Sequence, residues 1–198
     1  MANASIDFFE AQFQRQLRQG ELALNPFEQA ALAHVRGDML DYGCGLGNLA
    51  LAAARRGCRV LALDASATAI AHLQEVAARE HLPLEAREAD LRSVVPEGRF
   101  DTIACIGLLM FFDCATAQRQ LERLQALLRP GGVLVLNVLV RGTTYLGMFD
   151  AAGHCLFEED GLLQGMAGWQ MLHQAHQEFD APGGTRKVFL TLIARKPG

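Results

Sequence analysis

Three glycines at alternate positions, Gly43, Gly45 and Gly47, follow a short apolar stretch that ends near Asp41. Glycine has no Cβ, so such a loop can turn sharply and let a ligand lie against its backbone amides. The Ala- and Leu-rich segment that follows predicts a helix whose N-terminal amides and positive dipole end face the loop. The stretch therefore predicts a cradle for a polar small molecule.

Acidic residues also end the next predicted strands, with Asp64 after an apolar run and Asp90 after a third strand. In open parallel sheets the ligand lies beyond the carboxyl ends of the strands, so Asp41, Asp64 and Asp90 should surround one crevice. Three carboxylates disfavour an anionic phosphate ligand and favour one that carries a positive charge and a ribose. A dinucleotide site would need G-x-G-x-x-G, and a P-loop would need Gly-Lys-Ser/Thr, whereas this loop is G-x-G-x-G.

Alternating apolar strands and amphipathic helices are expected to position these acids. Near-continuous apolar strands separated by helices predict a parallel sheet that is covered on both faces. Two later strands joined by Asp-Ala-Pro-Gly-Gly predict a hairpin, so at least one strand runs antiparallel to the rest. The predicted strands are 39–41, 59–64, 84–88, 100–107, 133–140, 169–179 and 187–195, and the predicted helices between them are 46–56, 67–80, 115–128 and a short one from 157.

Two helices are expected before the first strand. The first, over 7–18, has an i, i+4, i+8 apolar stripe, and Asp7 and Glu10 have the spacing of a capping box. The second starts at Asn-Pro-Phe and runs over about 25–35. The first helix either packs on the edge of the core or forms a movable lid over the glycine loop, and the sequence leaves both possibilities open.

Composition limits the class of protein. The 198 residues, 51% of them hydrophobic, suffice for one domain, and the net charge of −4 with scattered Lys and Arg disfavours nucleic acid as a partner. Apolar runs such as 106–112 and 133–136 are too short to span a bilayer, and the first residues lack the features of a signal peptide. We therefore expect a cytoplasmic protein with a small-molecule substrate and no membrane partner.

The five cysteines are an odd number and contain no C-x-x-C spacing. The interpretation is that all of them are reduced thiols, mostly buried as small hydrophobic side chains. No paired ligand spacing supports zinc, and no metal is expected. Cys44 is expected to fill space in the glycine loop, because no nearby base identifies it as a nucleophile. The set is Cys44, Cys58, Cys105, Cys114 and Cys155.

The glycine loop, Asp64 seventeen positions after Gly47, Asp90, and Pro-Gly-Gly before the fifth strand together resemble a class I S-adenosylmethionine-dependent methyltransferase. The resemblance covers nearly all of the chain. It implies an α/β, Rossmann-like three-layer sandwich with a seven-stranded, mostly parallel sheet of order 3-2-1-4-5-7-6 and strand 7 antiparallel. It implies a single domain with N-terminal helices over 1–36, a cofactor-binding core over 37–140, and a substrate-side loop and hairpin over 141–198.

The resemblance also implies S-adenosyl-L-methionine as the cofactor and S-adenosyl-L-homocysteine as its product. The glycine loop would carry the methionine end above Asp41, although a role for Asp41 in holding the loop itself stays open. Asp64 would accept both ribose hydroxyls, and Asp90 would accept the adenine amino group. The implied set is Asp41, Gly43, Cys44, Gly45, Gly47, Asn48, Asp64, Ala65, Ser66, Ala89, Asp90, Leu91, Ile106, Gly107 and Leu108, of which the last three would pass under the sulfonium.

The second half is similar to the tellurite-resistance-type methyltransferases, which act on tellurium and selenium oxyanions and similar small nucleophiles. That group has a His-Arg pair near the last hairpin, where this chain has Glu178-Phe179, although a basic residue stays at Arg186. An acid in place of a base argues against the same oxyanion. The stretches that carry the similarity are 107–112, 128–132, 157–162, 168–169 and 189–196.

Methyl transfer from a sulfonium is an in-line displacement that depends mainly on positioning. A thiolate or chalcogenide acceptor needs no base, whereas a phenol or amine needs one, for which His154, His173 and His176 are candidates. The prediction is an active small-molecule methyltransferase; the alternatives are an inactive cofactor-binding module that acts through partners, and a methyltransferase acting on protein or nucleic acid. The expected pocket wall is Phe111, Phe112, Tyr145, Met148, Phe149 and Trp169.

Overall fold

The computed structural model describes residues 4–20, 22–149 and 153–198, so part of the predicted substrate-side loop that begins at 141 lies outside it. The chain alternates strands and helices after two N-terminal helices. In order, the elements are α1 (Ala4–Gln19), α2 (Pro26–Leu32), β1 (Asp38–Tyr42), α3 (Asn48–Arg55), β2 (Arg59–Asp64), α4 (Ala67–Glu80), β3 (Leu84–Glu88), β4 (Phe100–Ile106), α5 (Cys114–Leu127), β5 (Leu128–Leu139), α6 (Glu159–Gln164), β6 (Gln170–Ala181) and β7 (Thr185–Arg195).

One seven-stranded sheet has the order β3-β2-β1-β4-β5-β7-β6, which confirms the predicted order. β1 to β5 pair in parallel, and β7 runs antiparallel to both β5 and β6, as the predicted hairpin required. β3 forms one edge, where Glu85 and Arg87 are exposed and paired with each other. Charged side chains on an edge strand discourage pairing with another chain, which fits this position.

Each face of the sheet is covered by helices, which gives three layers. Along β1, Leu40 belongs to the cluster that packs with α5, and Met39 belongs to the cluster that packs with α3 and α4. This alternation follows the two-residue period of a strand, and both side chains are fully buried. The layers therefore come from central strands that are apolar on both faces.

The predicted capping box of Asp7 and Glu10 is wrong, because α1 begins at Ala4 and includes both residues. Glu10 instead accepts hydrogen bonds from the Ser66 and Thr68 hydroxyls at the start of α4. The spacing looked local, but the partners lie more than fifty positions away in the sequence. Its effect is to fasten α1 to α4.

Two other predicted boundaries also move. The second helix ends at Leu32, short of the predicted residue 35. β5 begins at Leu128, which pairs with Phe100, and the register then shifts before Val133 pairs with Thr102. Arg129–Gly132 is therefore an irregularity inside the strand, of the kind that Pro and Gly permit.

Cys114 and Cys155 form a disulfide with an S–S distance of 2.18 Å, so the expectation of five reduced thiols is wrong for this pair. Forty-one positions separate the two cysteines, so no local sequence spacing predicted the bond. The backbone N–H of Cys155 donates to the Met110 carbonyl (3.0 Å), which brings that segment to the start of α5. Disulfides are typical of oxidising surroundings, so the cysteines do not support the predicted cytoplasmic location. Within the described ranges, no helix has both the length and the apolarity to cross a membrane.

Candidate functional site

A cavity of about 440 Å³ opens at the carboxyl ends of β1 to β4. Asp41, Asp64 and Asp90 all line it, together with the glycine loop. The carboxyl ends of parallel strands meet at the same edge of a sheet, which is why residues far apart in the sequence converge here. The volume is within the range of small-molecule sites.

The glycine loop is fixed by backbone contacts. The N–H groups of Gly43 and Cys44 both donate to the Leu63 carbonyl, at 2.8 and 3.0 Å. Gly47 precedes α3 with a φ of 68°, and a Cβ placed there would lie 2.3 Å from a methyl carbon of Leu73. Only glycine fits that position. No side chain caps the start of α3, and Asn48 and Leu49 of its first turn line the cavity.

Asp64 joins β2 to this loop. Its Oδ2 accepts from the Gly45 N–H at 2.8 Å, and its Oδ1 accepts from the Ser66 N–H at 2.9 Å. Burial raises the pKa of Asp64, and the hydrogen bonds from Gly45, Ser66 and Ala65 oppose that rise. A carboxylate has about four lone-pair sites, so these three backbone bonds leave capacity for a ligand hydroxyl.

Asp41 lies beneath the loop and is only 4% exposed. Burial raises its pKa to about 8, the negative charges of Glu28 and Asp64 add to the rise, and the Ala50 amide opposes it. The carboxyl group therefore holds its proton at neutral pH. A cation placed beside it would favour the ionised form.

Glu28 is a cavity-lining acid that the sequence did not single out. It forms a capping box with Asn25: the Asn25 N–H donates to Glu28 Oε2 at 2.8 Å, and the Glu28 N–H donates to Asn25 Oδ1 at 2.9 Å. Burial raises the pKa of Glu28. The pattern Asn-x-x-Glu at a predicted helix start was the signal that could have fixed its position.

α1 covers the cavity from the other side and contributes Ile6, Phe9, Gln12, Phe13 and Gln16 to its lining. A Cβ at Gly45 would lie 3.1 Å from Phe13 Cζ, so this ring rests on the glycine loop. The Phe9 ring meets the Phe111 ring edge to face, with centroids 5.0 Å apart. The aromatic face of α1 therefore closes over the acids and the loop.

Of the predicted cofactor residues, all but Ala89 line the cavity. The Ala89 N–H instead donates to the Asp64 carbonyl at 2.9 Å and extends the pairing of β3 with β2. Arg92, which the sequence did not single out, also lines the cavity, and its guanidinium lies 5.9 Å from the centroid of the Phe112 ring. The other predicted residues therefore lie around one cavity, and their roles in binding a cofactor stay predictions.

The predicted pocket wall is only partly at the cavity. Phe111 and Phe112 line it, whereas Phe149 packs behind Phe111 with ring centroids 5.2 Å apart. Met148 packs in the same cluster, also outside the cavity lining. Tyr145 lies elsewhere because its ring packs under Lys187 Nζ at 5.0 Å, and Trp169 packs on the main core.

None of the predicted base or anion-binding residues is among the described residues that line the cavity. His173 and His176 lie on β6, which is four strands from β1 in the sheet order, or roughly 19 Å at the usual strand spacing. His176 pairs with Glu159, and His154 stacks on Phe149 with centroids 4.6 Å apart. Arg186 Nε donates to the Gly142 carbonyl at 3.1 Å.

Residues 39–132 match the family model described as a methyltransferase domain. The chain is 32% identical over 169 residues to Hemagglutinin 1 of Eikenella corrodens, covering 80% of this chain and 54% of that protein. It is 35% identical over 103 residues to Ubiquinone biosynthesis O-methyltransferase of Rhodopseudomonas palustris strain HaA2, covering 52% of this chain and 40% of that protein. The chain spans about half the length of the curated relatives it matches.

Solved structures share the fold. TehB from Haemophilus influenzae aligns with a TM-score of 0.75 at 19% identity, over 87% of this chain and 62% of that one. The N-methyltransferase NodS from Bradyrhizobium japonicum WM9 was solved with S-adenosyl-L-homocysteine. It aligns with a TM-score of 0.67 at 19% identity, over 96% of this chain and 99% of that one. At such identities the likeness shows the fold alone.

Residues 39–132 therefore form a methyltransferase domain, and the chain has the fold of the class I S-adenosylmethionine-dependent methyltransferases. The predicted methyltransferase class is confirmed at the level of the domain, and a neighbour solved with S-adenosyl-L-homocysteine agrees with the predicted cofactor. The likeness to the tellurite-resistance type holds for the fold.

Asp41→Asn should stabilise the protein at neutral pH. The folded-state pKa of Asp41 is raised from 3.8 to about 8, so its contribution to stability is full below pH 4 and falls as the pH rises toward 8. Asparagine carries no charge and escapes this loss. We expect the free energy of unfolding to rise by about 1–2 kcal/mol at pH 7, and Tm to rise by about 2–8 °C. Thermal unfolding of both proteins from pH 4 to pH 8 measures this. A Tm difference that does not grow with pH would contradict it.

Proposed function

We propose that the protein is an S-adenosylmethionine-dependent methyltransferase that methylates a small-molecule nucleophile. The observation that carries the proposal is the cavity in which Asp41, Asp64 and Asp90 surround the glycine loop. The match of residues 39–132 to a methyltransferase domain supports the same conclusion. Most of the lining comes from strand ends and adjoining loops of a single chain, which suits a compact ligand better than a macromolecule.

The lining residues fit this cofactor chemically. The loop positions that exclude a Cβ allow a ligand to approach the backbone closely, and the clustered carboxylates suit a ligand with two cationic groups. In the proposed assignment, the glycine loop and Asp41 hold the methionine end, Asp64 holds the ribose and Asp90 holds the adenine amino group. When bound, S-adenosylmethionine supplies a methyl group on an electrophilic sulfonium.

The chain's own task is to position the reactants and exclude water. Phe9 and Phe13 of α1 lie against Phe111 and the glycine loop, and they present an apolar cover to the cavity. Gly107 and Leu108 continue β4 beside the loop and supply a neutral floor. An apolar enclosure of this kind strengthens the attraction between the carboxylates and a bound cation.

Among the acceptors suggested by the sequence, we propose a thiol in preference to a tellurium or selenium oxyanion. The described cavity lining includes Glu28, Asp64 and Asp90 beside the protonated Asp41, and the negative charges of such acids repel an anion. A thiol enters as the neutral species, since its ordinary pKa is about 8.5. The thiol would lose its proton to solvent, and the resulting thiolate sulfur would take the methyl group as the methyl–sulfonium bond breaks, leaving neutral S-adenosyl-L-homocysteine sulfur. Arg186, the basic residue expected near an oxyanion, contacts Gly142 outside the cavity lining.

We also propose that α1, which belongs to the N-terminal region 1–36, is a lid over the cofactor-binding core 37–140. The region 141–198 would then lie on the acceptor side of the site. Glu10 anchors α1 to Ser66 and Thr68, next to the Asp64 carboxylate. The hydrogen bonds of Glu10 lower its pKa although burial, the largest single influence, raises it. A helix held by one carboxylate and an aromatic face can dock and release without unfolding the core.

Glu10→Gln should loosen α1 without unfolding the sheet. The amide keeps the shape but loses the charge that strengthens both hydroxyl hydrogen bonds. Hydrogen exchange should become at least about threefold faster in the α1 amides and stay unchanged in α5, which serves as the internal reference. Adding S-adenosyl-L-homocysteine should slow exchange in α1 of the wild type. Equal α1 exchange in both proteins would contradict the lid anchor.

Asp64→Ala should weaken cofactor binding by about 100-fold or more, because it removes a charged acceptor and frees the Gly45 amide. Calorimetric titration of S-adenosylmethionine into the wild type and the variant measures this. Asp180→Ala, which removes an exposed acid on β6, is the matched control and should bind like the wild type. The proposal fails if the wild type does not bind or if Asp64→Ala binds equally well.

A panel of acceptors tests the reaction itself. Thiols, phenols, amines, selenite and tellurite are incubated with S-adenosylmethionine, and methylated products are identified by mass spectrometry. Phenols belong in the panel because one relative is named an O-methyltransferase. We expect methylated thiols at a rate at least tenfold above the oxyanions. Cofactor binding with no methylated product from any acceptor would favour the inactive binding module.

A further inference from the structure

The Cys114–Cys155 disulfide lies at one end of a row of packed aromatic rings. His154 precedes Cys155 and stacks on the Phe149 ring, with centroids 4.6 Å apart and an angle of 8° between the planes. Phe149 in turn packs on Phe111, with centroids 5.2 Å apart. Direct contacts therefore lead from the disulfide to Phe111, which lines the cavity.

The row continues into α1. Phe111 meets Phe9 edge to face at 5.0 Å, and Phe9 stacks on Phe13 at 5.9 Å. Phe13 lies against Gly45 of the glycine loop. A displacement at the disulfide end can therefore pass from ring to ring to the cover of the cavity. The ring row, as we call it, consists of His154, Phe149, Phe111, Phe9 and Phe13.

The apolar cluster around the middle of the ring row is small. Its buried members are Met110, Phe111 and Leu139, and it is separate from the two large clusters that cover the faces of the sheet. Phe9 and Phe149 are only partly buried against it. A region with few buried apolar contacts opens more easily than a main core. The order of the ring row therefore depends on the contacts that tie its segments together.

The disulfide is the covalent tie at the outer end. It joins Cys155 to Cys114, the first residue of α5, and this helix start is fixed because the Asp113 side chain accepts from the Thr116 N–H at 2.9 Å. A cross-link between residues forty-one positions apart restricts the chain strongly. Cys114 is exposed whereas Cys155 is buried, so a reductant can approach the bond from the Cys114 side.

We propose that the Cys114–Cys155 disulfide is a redox switch that positions the ring row, so that the oxidised protein is the active methyltransferase. This inference rests on the proposed function, since it concerns the acceptor side of the same cavity. On reduction the S–S bond gains two electrons and two protons and becomes two thiols, while a cellular dithiol is oxidised to its disulfide. His154 then loses its covalent anchor to α5, and the rings that pack on it lose their support.

The switch acts on the acceptor side and leaves the cofactor side intact. Asp64 is held by the Gly45 and Ser66 amides, and these bonds do not involve the ring row. Glu10 keeps α1 attached to α4 in either redox state. Reduction should therefore lower the turnover of the acceptor without changing the affinity for S-adenosyl-L-homocysteine.

Hydrogen exchange tests the link from the disulfide to the ring row. The oxidised wild type is compared with the reduced wild type and with the double variant Cys114→Ser, Cys155→Ala. The reductant is tris(2-carboxyethyl)phosphine, which takes the oxygen of one water to become its oxide and adds no thiol that could be methylated. Exchange in 109–112 and α1 should become at least about threefold faster in the reduced protein and in the variant, with β1 as the unchanged reference.

Turnover of 1-propanethiol with S-adenosylmethionine tests the link to catalysis. The phosphine is removed by gel filtration before the assay, and alkylation with mass spectrometry verifies the redox state afterwards. Reduction and the double variant should each lower kcat/KM at least about tenfold, and oxidised glutathione should restore the wild type. Calorimetric affinity for S-adenosyl-L-homocysteine should stay within about twofold. Cys58→Ala, which removes a reduced cysteine, is the matched control and should behave like the wild type.

A disulfide with a purely structural role would lower Tm but leave kcat/KM unchanged at temperatures well below Tm. The switch is therefore overturned if kcat/KM is equal in the two redox states, or if the affinity for S-adenosyl-L-homocysteine falls by the same factor. Equal exchange at 109–112 in both states would also overturn it. If the oxidised wild type methylates no thiol, the proposed function fails, whereas the exchange comparison still decides whether the disulfide positions the ring row.

Discussion

The Asp64 carboxylate is the contact on which the site depends. It joins the end of β2 to the glycine loop through the Gly45 amide, and to the start of α4 through the Ser66 amide. The neighbouring Leu63 carbonyl accepts from Gly43 and Cys44, so one short segment fixes most of the loop. A carboxylate has more acceptor capacity than these amides use. The same group can therefore shape the loop and meet a ligand, which couples the fold of this edge to its function.

Concentrating carboxylates in one cavity has a cost in stability. Burying an unpaired charge is unfavourable, and Asp41 responds by holding a proton well above its ordinary pKa. Burial likewise raises the pKa of Glu28 and of Asp64. The sheet tolerates this because its central strands bury apolar side chains on both faces. A cationic ligand would relieve the repulsion, so the unfavourable arrangement is itself a form of selectivity.

Local periodicity was enough to predict the strands and the three acids at their ends. The order of the strands in the sheet came from the family resemblance. It failed where the partner of a residue is distant. Glu10 and Asp7 had capping-box spacing, but the partners of Glu10 are on α4. The Cys114–Cys155 bond left no spacing signal for the same reason. His173 was proposed from its residue type, although the sheet order implied by the resemblance already placed its strand at the edge of the sheet, away from the glycine loop.

The two halves of the cavity are built from different parts of the fold, and this explains why the shared fold predicts the cofactor site but not the acceptor. The cofactor half is built from strand ends, whose positions follow from parallel pairing. The half proposed to hold the acceptor is built from α1 and the 3-10 turn at Leu109–Phe111, which meet through aromatic rings rather than through the sheet, and Phe149 packs behind Phe111. His154 extends that row of rings, and the adjacent Cys155 ties it to α5. A fold shared at 19% identity constrains the positions of the strand ends in the cofactor half, but it does not constrain the aromatic side chains of the other half. The acceptor must therefore be determined from these aromatic contacts and not from the sheet.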